Sequence, residues 1–327
     1  MTVHGGYSIT PSMQGRKYVV TGGAGFIGSN LVRGLLRQGD LDVWVLDNFQ
    51  TGKRENLAEV EDRIHLVEGD IRDRKLVQEV CRDAWGLFHL AALPSVQLSV
   101  EDPAMVLSVC VDGTSSVLEA ARDQGLRRLV YSASSAAYGN NPKLPKSESD
   151  LPEPLSPYAV GKLSGEYLCR AFSECYGLET ISLRYFNVFG PRQDPKSPYG
   201  AVIPKFIDAY LGKRAPILYG DGKQTRDFVH VDNVVHANIL AMERGQGAGQ
   251  VVNVACGERI SLLDLLDALA EIFGYRLEPK MEPARPGDVR HSLADISLAR
   301  TFLGYETLVG LKEGLAATVE WYQRQTE

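Results

Sequence analysis

The sequence has few of the residues that build disulfide networks or metal sites. Five of its 327 residues are cysteine, and they are scattered along the chain without the short spacing of metal ligands. An odd, dispersed set of this kind is typical of reduced structural thiols in a cytosolic protein. We therefore expect no metal site and a cytoplasmic location. The cysteines are Cys81, Cys110, Cys169, Cys175 and Cys256.

An excess of positive charge and long apolar runs are also lacking. Lys and Arg total 35 against 41 Asp and Glu, a formal net charge of −6, which argues against non-specific binding of nucleic acid. No apolar run approaches membrane-spanning length, so we expect no membrane segment. Residues 1–16 lack the apolar core of a signal peptide and are expected to form a mobile leader.

The composition is that of an ordinary globular protein. Apolar residues make up 44% of the chain and charged residues 23%. The length is sufficient for one large domain or two smaller ones, each with a buried core.

The most informative stretch is a glycine-rich turn between a strand and a helix. Residues 17–20 have the aromatic and β-branched character of a buried strand, and apolar residues from Phe26 onward recur at helical spacing. Gly22 then allows the tight turn, Gly25 lets the backbone approach a pyrophosphate, and Gly28 lets helix and strand pack closely. Free N–H groups at the helix start face the phosphates.

A carboxylate beyond the next strand supports a dinucleotide ligand. Residues 41–46 predict a second strand, and Asp47 ends it about 20 residues after the last glycine, where it can bind a ribose diol. Asn48 follows, and neither position is Arg, so a 2′-phosphate would meet a like charge here. This favours NAD over NADP. A glycine-rich turn beside an unrelated surface Asp is the weaker alternative.

Further short strands alternate with helical stretches along the first half of the chain. We expect strands at 64–67, 84–90, 129–131 and 180–183, and helices at about 103–121, from 158 onward and at 261–273. The last helix is expected to be N-capped by Ser261, with Asp264 completing the cap. The alternation predicts an α/β fold with a doubly wound parallel (Rossmann) sheet, whose ligands bind beyond the carboxyl ends of the strands.

The composition changes after the fifth strand. Five prolines fall between Asn140 and Pro157, and the chain becomes loop-rich after Gly190. We interpret the second part as a smaller, interleaved substrate domain. The expected division is a leader at 1–16, mainly the dinucleotide-binding domain at 17–187 and mainly the substrate domain at 188–327, with a segment at about 228–255 returning to the first domain.

A tyrosine and a lysine are four residues apart at the start of a predicted helix. Tyr158 and Lys162 therefore project from one face. A phenol titrates near pH ~10 and is a poor base at neutrality. A nearby ammonium, together with the positive nicotinamide ring, favours the phenolate and lowers that pKa. Tyr158 would then accept a proton from an alcohol while hydride leaves it.

A hydroxyl-rich segment, residues 131–139, ends the fifth strand and is expected to open onto the same cleft. Ser134 is the preferred candidate for a hydrogen bond to the reacting hydroxyl. For Ser132 and Ser135, capping of their own turn is an equal alternative.

Together, the glycine turn, the Tyr-x-x-x-Lys pair and the upstream serine resemble the extended short-chain dehydrogenase/reductase family, from Lys17 to about Tyr305. Further stretches are similar to its nucleotide-sugar epimerase branch, and most of all to bacterial UDP-N-acetylglucosamine 4-epimerases. These stretches are 184–195, 201–205, 220–228 and 285–288.

The resemblance implies a set of site residues. Ser134, Tyr158 and Lys162 would be catalytic. NAD would contact the glycine turn, the next strand ends and the catalytic helix, while UDP would be held partly by two arginines that can bracket a pyrophosphate. The cofactor-binding set is Gly22, Gly25, Phe26, Ile27, Gly28, Asp47, Asn48, Asp70, Ile71, Leu90, Ala91, Ala92, Tyr158 and Lys162. The substrate-binding set is Ser134, Asn187, Val202, Arg226, Arg285, Asp288 and Ser292.

The reaction implied by the resemblance is 4-epimerisation of a UDP-sugar, by transient oxidation at C4, rotation of the ketone and hydride return. Related dehydratases and decarboxylases carry acidic residues just after the serine, where this chain has Ser135 and Ala136. Ser292 stands where hexose-restricted relatives have a bulky Tyr. The serine is therefore expected to admit the N-acetyl group of UDP-GlcNAc and UDP-GalNAc, along with UDP-Glc and UDP-Gal.

Two alternatives stay open at this point. A UDP-glucuronate 4-epimerase would use the same catalytic core, and a non-catalytic NAD-binding regulator would typically lack the Tyr or the Lys. By analogy with relatives, a homodimer is expected to form through two helices per subunit, one of them the Tyr158 helix. The sequence departs from the family at Cys110, where many relatives have Asn, and at Pro94 and Ser95, where some have Lys.

Overall fold

Strands and helices alternate through the part of the chain that this computed structural model describes, residues 13–195, 201–244, 248–284 and 289–326. The strands are β1 (Lys17–Thr21), β2 (Asp42–Asp47), β3 (His65–Glu68), β4 (Gly86–His89), β5 (Arg128–Ser134), β6 (Glu179–Tyr185), β7 (Asn187–Phe189), β8 (Ile217–Tyr219), β9 (Thr225–Arg226), β10 (Phe228–His230), β11 (Ala248–Val254), β12 (Ile260–Ser261) and β13 (Lys280–Glu282). The helices are α1 (Phe26–Leu36), α2 (Arg74–Cys81), α3 (Val96–Glu101), α4 (Pro103–Leu107), α5 (Thr114–Asp123), α6 (Pro157–Tyr176), α7 (Val202–Leu211), α8 (Val231–Arg244), α9 (Leu262–Phe273) and α10 (Leu311–Thr326).

Seven of the described strands form one parallel sheet in the order β11-β6-β5-β4-β1-β2-β3. β1 pairs with β2 on one side and with β4 on the other, so the strand order reverses next to β1. In sheets of this kind ligands bind beyond the carboxyl ends of the strands at the reversal. The predicted α/β doubly wound fold is confirmed.

Helices cover both faces of the sheet because its strands are apolar on both sides. One buried cluster packs α1 and α8 against the sheet, with Leu31, Leu35 and Val235 among its members. A second cluster packs α2, α5 and α6 on the opposite face, with Val117 and Cys169 among its members. The two faces hold β1, β4 and β5 in fixed register, and the residues that follow these strands are fixed with them.

A third core lies among α7, α9 and α10, where Phe206, Leu269 and Leu315 are buried together. Three two-stranded sheets accompany it, pairing β7 with β10, β9 with β12 and β8 with β13. β11 belongs to the large sheet, where it pairs with β6. The division of the chain into two domains stays a prediction.

Most element positions agree with the sequence to within a few residues. α9 ends at Phe273 as expected, and Ser261 and Asp264 form the predicted capping box. The expected helix at 103–121 is instead three consecutive pieces, with a π-helical turn at Ser108–Gly113 between α4 and α5. The expected leader lies mostly outside the described residues; Met13, near its end, is 1% exposed.

One helical stretch differs from the expectation that no apolar run approaches membrane-spanning length. Pro103–Asp123 could cross a membrane by length and composition alone, but 56% of its 18-residue apolar window is buried inside the protein. It packs against α2 and α6. The apolar side chains are those of a core helix.

Candidate functional site

A cavity of about 820 Å³ lies at the carboxyl ends of the parallel strands, where the strand order reverses. Its wall comes from the turn after β1, the loops after β2, β3 and β4, the ends of β5 and β6, and the start of α6. All fourteen residues predicted to bind the cofactor line this cavity, and so does Ser134.

The glycine turn has the backbone that the sequence predicts. Gly22 has φ +71°, and a Cβ there would lie 2.6 Å from the backbone nitrogen of Ala91. A Cβ on Gly28 would overlap the carbonyl oxygen of Gly22. Only glycine fits either position without a backbone shift, so the turn stays close to the end of β4.

The start of α1 is left open toward the cavity. Gly25 is its N-cap, no side chain caps the helix, and there is no acidic residue in its first turn. The first N–H groups of a helix have no partner within the helix and carry partial positive charge. Gly25, Phe26, Ile27 and Gly28 line the cavity here, which suits an anion such as a pyrophosphate.

Asp47 ends β2 beside this turn and is 7% exposed. One carboxylate oxygen accepts a hydrogen bond from Ala24 N at 2.9 Å, and the other accepts from Phe49 N, also at 2.9 Å. Burial raises the pKa of Asp47, while the two backbone hydrogen bonds lower it. Asp47 therefore holds the turn in place as well as lining the cavity.

The far end of the cavity carries a second acidic residue, Asp70. Arg72 binds its carboxylate at two points, 2.9 and 2.8 Å, and Asn48 Nδ2 donates to it at 3.0 Å. These bonds lower the pKa of Asp70 to about 2. Asp70 and Asn48, together with Ile71 and the Leu90–Ala92 segment, line the part of the cavity predicted to bind the adenine and ribose of NAD.

Helix α6 carries Tyr158 and Lys162 one turn apart, and both line the cavity. Pro157 starts the helix and Ser156 caps it by accepting from Ala159 N at 3.2 Å. The Lys162 side chain is buried, with Nζ donating to the Ser132 carbonyl oxygen at 2.6 Å. The hydrogen bond fixes the ammonium against the end of β5.

The pKa of Tyr158 differs from the sequence-based expectation. In the protein alone, burial raises it to about 12, and the hydrogen bond with Ser134 lowers it by less than burial raises it. The pKa of Lys162 is lowered by burial. The expected lowering of the Tyr158 pKa is therefore not a property of the protein alone, because removing the phenol from water outweighs the hydrogen bond from Ser134.

Ser134 is the last residue of β5 and faces the same cavity. Its hydroxyl accepts a hydrogen bond from Ala136 N at 3.2 Å and forms a second hydrogen bond with the Tyr158 side chain. The predicted catalytic set of Ser134, Tyr158 and Lys162 is thus brought together at one end of the cavity.

Of the predicted substrate residues that the structure describes, Ser134 lines the cavity, and the other four, Asn187, Val202, Arg226 and Ser292, are not part of its wall. Arg226 on β9 donates to the Arg290 carbonyl oxygen at 3.4 Å, and Ser292 N donates to the Thr225 carbonyl oxygen at 3.0 Å, so Arg226 and Ser292 are neighbours. Asn187 starts β7, which pairs with β10 just after Arg226. Val202 starts α7, and its neighbour Ala201 lines the cavity. Arg285 and Asp288 lie outside the described residues.

A buried carboxylate holds this second group of residues together. Asp227, which follows Arg226, is fully buried and accepts hydrogen bonds from the backbone N–H groups of Cys256, Gly257 and Ala294 at 2.9 to 3.1 Å. Burial raises its pKa to about 6. Sequence reasoning placed Asp227 in a motif without recognising this role.

Several cavity residues were missed. Residues 51–53 follow Asp47 and Asn48 at a strand end, and this position is visible in the sequence. Pro94 and Ser95, noted as departures, line the cavity beyond β4. Gln193 and Asp194 lie in the 184–195 stretch that resembles the epimerase branch, but no role was predicted for them; they reach the cavity from the loop after β7.

The chain is similar to known proteins over most of its length. The profile of the NAD dependent epimerase/dehydratase family matches residues 18–255. The UDP-glucose 4-epimerase of Mycolicibacterium smegmatis is 41% identical over 313 residues, 94% of this chain and 99% of that protein.

Solved structures agree along almost the whole chain. The UDP-N-acetylglucosamine 4-epimerase of Methanobrevibacter ruminantium M1, in complex with UDP-N-acetylmuramic acid, is 40% identical with a TM-score of 0.92, over 96% of this chain and 100% of that one. The UDP-glucose 4-epimerase of Thermotoga maritima, with UDP-glucose, is 39% identical with a TM-score of 0.90, over 95% of this chain and 100% of that one.

Proposed function

Because the chain belongs to the NAD-dependent epimerase/dehydratase family, we infer that it is a UDP-sugar 4-epimerase that uses NAD. The single observation that carries this inference is the convergence of Ser134, Tyr158 and Lys162 with the glycine turn on one cavity. The two epimerases compared above are 41% and 40% identical to this chain over nearly its full length.

The cavity fits a dinucleotide. Its glycine turn leaves no room for a Cβ at Gly22 or Gly28, and the open start of α1 offers N–H groups to a pyrophosphate. Asp47, Asn48, Asp70 and Ile71 would hold the adenosine half, and Tyr158 and Lys162 the nicotinamide half. When bound, NAD supplies the hydride acceptor and a positive ring beside the phenol.

Tyr158 acts as the general base in this proposal. With its pKa near 12 in the protein alone, it keeps its proton at neutral pH until positive charge enters the cavity beside it. Ser134 positions the C4 hydroxyl of the sugar, and Tyr158 accepts its proton as the ketone forms. After the bound ketone has rotated and hydride has returned to C4 from the other face, Tyr158 returns the proton to the C4 oxygen. The buried positive charge of Lys162 stabilises the phenolate of Tyr158.

The sugar preference rests on Ser292. A serine at this position leaves space for a C2 N-acetyl group, which supports UDP-GlcNAc and UDP-GalNAc as substrates along with UDP-Glc and UDP-Gal. Asn187 N donates to the carbonyl oxygen of Asp227, the residue after Arg226, so Asn187 and Arg226 support a UDP site next to the cavity. In this proposal Arg285 and Asp288 complete that site.

A UDP-glucuronate 4-epimerase is the second candidate. It is favoured by the similarity to a UDP-glucuronic acid 4-epimerase from Bacillus cereus, 33% identical with a TM-score of 0.87 over 94% of this chain. A non-catalytic regulator is disfavoured, because both Tyr158 and Lys162 line the cavity.

The dinucleotide-binding and substrate parts form two interleaved domains in this proposal, divided near residue 187, and the enzyme acts in the cytoplasm as a homodimer. Exposed apolar side chains on α3, α4 and α6 support that pairing. They are Val96, Val100, Met105, Val160 and Tyr167, between 37% and 66% exposed. Sedimentation of the purified protein distinguishes monomer from dimer.

The function is tested by incubating purified protein separately with UDP-GlcNAc, UDP-Glc and UDP-GlcA and resolving the C4 epimers. We expect interconversion of the first two, without added NAD if the coenzyme stays bound. Turnover of UDP-GlcA alone would favour the second candidate. Bound nicotinamide without turnover of any sugar would favour the regulator.

A further inference from the structure

An ion pair links two loops at the rim of the cavity. Lys53 Nζ lies 2.7 Å from Asp194 Oδ2, and the side chains are 50% and 34% exposed. Both residues also line the cavity. Because each side chain lies partly in solvent and partly in the cavity wall, the pair spans part of the opening.

The Lys53 end of this pair is tied to the glycine turn. Lys53 N donates to the Ala24 carbonyl oxygen at 3.0 Å, and Asn56 Nδ2 donates to the same oxygen at 2.9 Å. Ala24 lies between Gly22 and Gly25. The loop after β2 is thus held where the start of α1 offers its N–H groups.

The Asp194 end is tied to two helices. Asn30 of α1 donates to the Pro191 carbonyl oxygen at 3.0 Å and accepts from Arg192 at 2.8 Å. Tyr322 of α10 donates to the Gln193 carbonyl oxygen. Each loop is thus held by hydrogen bonds besides the ion pair, and these bonds stay in place when the ion pair opens.

The charges inside the cavity make Lys53 distinctive. Among the described residues that line it, the cations are Lys53 and Lys162. Lys162 is buried beside Ser132, at the catalytic end. Of these two cations, Lys53 is the one beside the glycine turn, which would receive a pyrophosphate. Its ammonium attracts both that dianion and the Asp194 carboxylate.

We propose that Lys53 and Asp194 form an ionic clasp that closes over the bound dinucleotide and slows its release between turnovers. The inference rests on the proposed function and adds to it two residues that retain the coenzyme. An epimerase that regenerates its coenzyme in each cycle gains from slow release, because no second substrate is needed to reoxidise it.

The test measures release of NAD from the purified holoenzyme. Protein loaded with labelled NAD is mixed with excess unlabelled NAD, and the label that stays bound is followed with time. We expect Lys53→Met and Asp194→Asn each to release the label roughly five- to tenfold faster than the wild type. The double variant should release it no faster than the faster single variant, because both substitutions open the same pair.

A charge exchange separates a clasp from a simple phosphate contact. Lys53→Asp combined with Asp194→Lys rebuilds the pair in reverse and should release the label more slowly than Lys53→Asp alone, in which two carboxylates face each other; equal rates would overturn the clasp. Lys312→Met, which opens an exposed ion pair with Glu271 remote from the cavity wall, is the matched control and should leave release unchanged.

The outcomes are distinct. Faster release in Lys53→Met with no change in Asp194→Asn would overturn the clasp and leave Lys53 as a phosphate contact. Unchanged release in both single variants would overturn it outright, with the epimerase assignment intact. A wild-type protein that neither contains nor takes up NAD would contradict the proposed function and this inference with it.

Discussion

Arg184 of β6 forms a two-point ion pair with Glu166 of α6 in the interior of the protein. Arg184 Nε donates to one carboxylate oxygen at 2.9 Å and Nη2 to the other at 2.7 Å, and the side chains are 4% and 2% exposed. Glu166 lies one helical turn beyond Lys162, and Arg184 pairs in the sheet with Ala133, next to Ser134. The ion pair therefore fixes the catalytic helix to the strand that carries the serine.

We expect Glu166→Gln to lower the free energy of unfolding by about 3–5 kcal/mol, because it leaves the Arg184 charge buried without its partner. Urea unfolding at pH 7 measures the change. Glu271→Gln is the matched control, since that carboxylate belongs to an exposed pair, and it should change stability little. Equal effects of the two substitutions would show that the buried pair does not secure α6.

Tyr158→Phe should lower kcat for epimerisation by about 10²–10⁴-fold, because the phenol is the proton acceptor in the proposed reaction. The bound NAD and the unfolding transition should be unchanged, since the substitution removes one hydroxyl at a cavity wall. Epimer ratios measured with UDP-Glc, and nicotinamide released on denaturation, report the two properties separately.

Tyr167→Phe is the control for that substitution. Tyr167 lies on the same helix, is 58% exposed and does not line the cavity. It should keep wild-type turnover. Wild-type turnover in Tyr158→Phe as well would mean that another group is the base.

Much of this site was predictable because its parts are local. The glycine turn, Asp47 at the end of β2 and the Tyr158–Lys162 spacing each depend on residues close in sequence, and the parallel sheet brings strand ends to one edge. The capping box at Ser261 was predictable for the same reason.

The rest depends on contacts between distant segments. Asp194 reaches the cavity because Asn30 and Tyr322 hold its loop, and neither relationship leaves a sequence pattern. The direction of the Tyr158 pKa shift was predicted wrongly for the protein alone. The four-residue spacing indicates a nearby lysine, but it does not show that the phenol is removed from water. The π-helical turn before α5 interrupts an otherwise regular apolar repeat.

Ser292→Tyr should lower kcat/KM for UDP-GlcNAc on the order of 100-fold while changing the value for UDP-Glc by much less, because a tyrosine would fill the space proposed for the N-acetyl group. Ser292→Ala is the control, and it should keep the ratio of the two values. Steady-state rates with both sugars give the ratio directly. Equal losses on both substrates would refute the steric interpretation.

The last prediction concerns a buried histidine beneath the glycine turn. His89 is fully buried, with Nδ1 2.7 Å from the Thr21 hydroxyl and Nε2 3.0 Å from the Thr114 hydroxyl. Thr114 donates its own proton to the Cys110 carbonyl oxygen at 2.6 Å, so it accepts from Nε2, which leaves Nδ1 to accept from Thr21. A neutral ring satisfies every partner, and burial lowers the pKa of His89 to about 3.

The unfolded chain binds a proton at His89 near pH 6.5, whereas the folded protein does so only near pH 3, so acid favours unfolding throughout that interval. Below pH 6.5 the wild type should therefore lose about 1.4 kcal/mol of unfolding free energy per pH unit through His89. His89→Gln removes this titration. Its stability should be lower at pH 7, because the hydroxyl network is altered, but should fall less steeply between pH 6.5 and 5 in urea unfolding. Equal slopes would show that His89 is protonated in the folded protein as readily as in the unfolded chain.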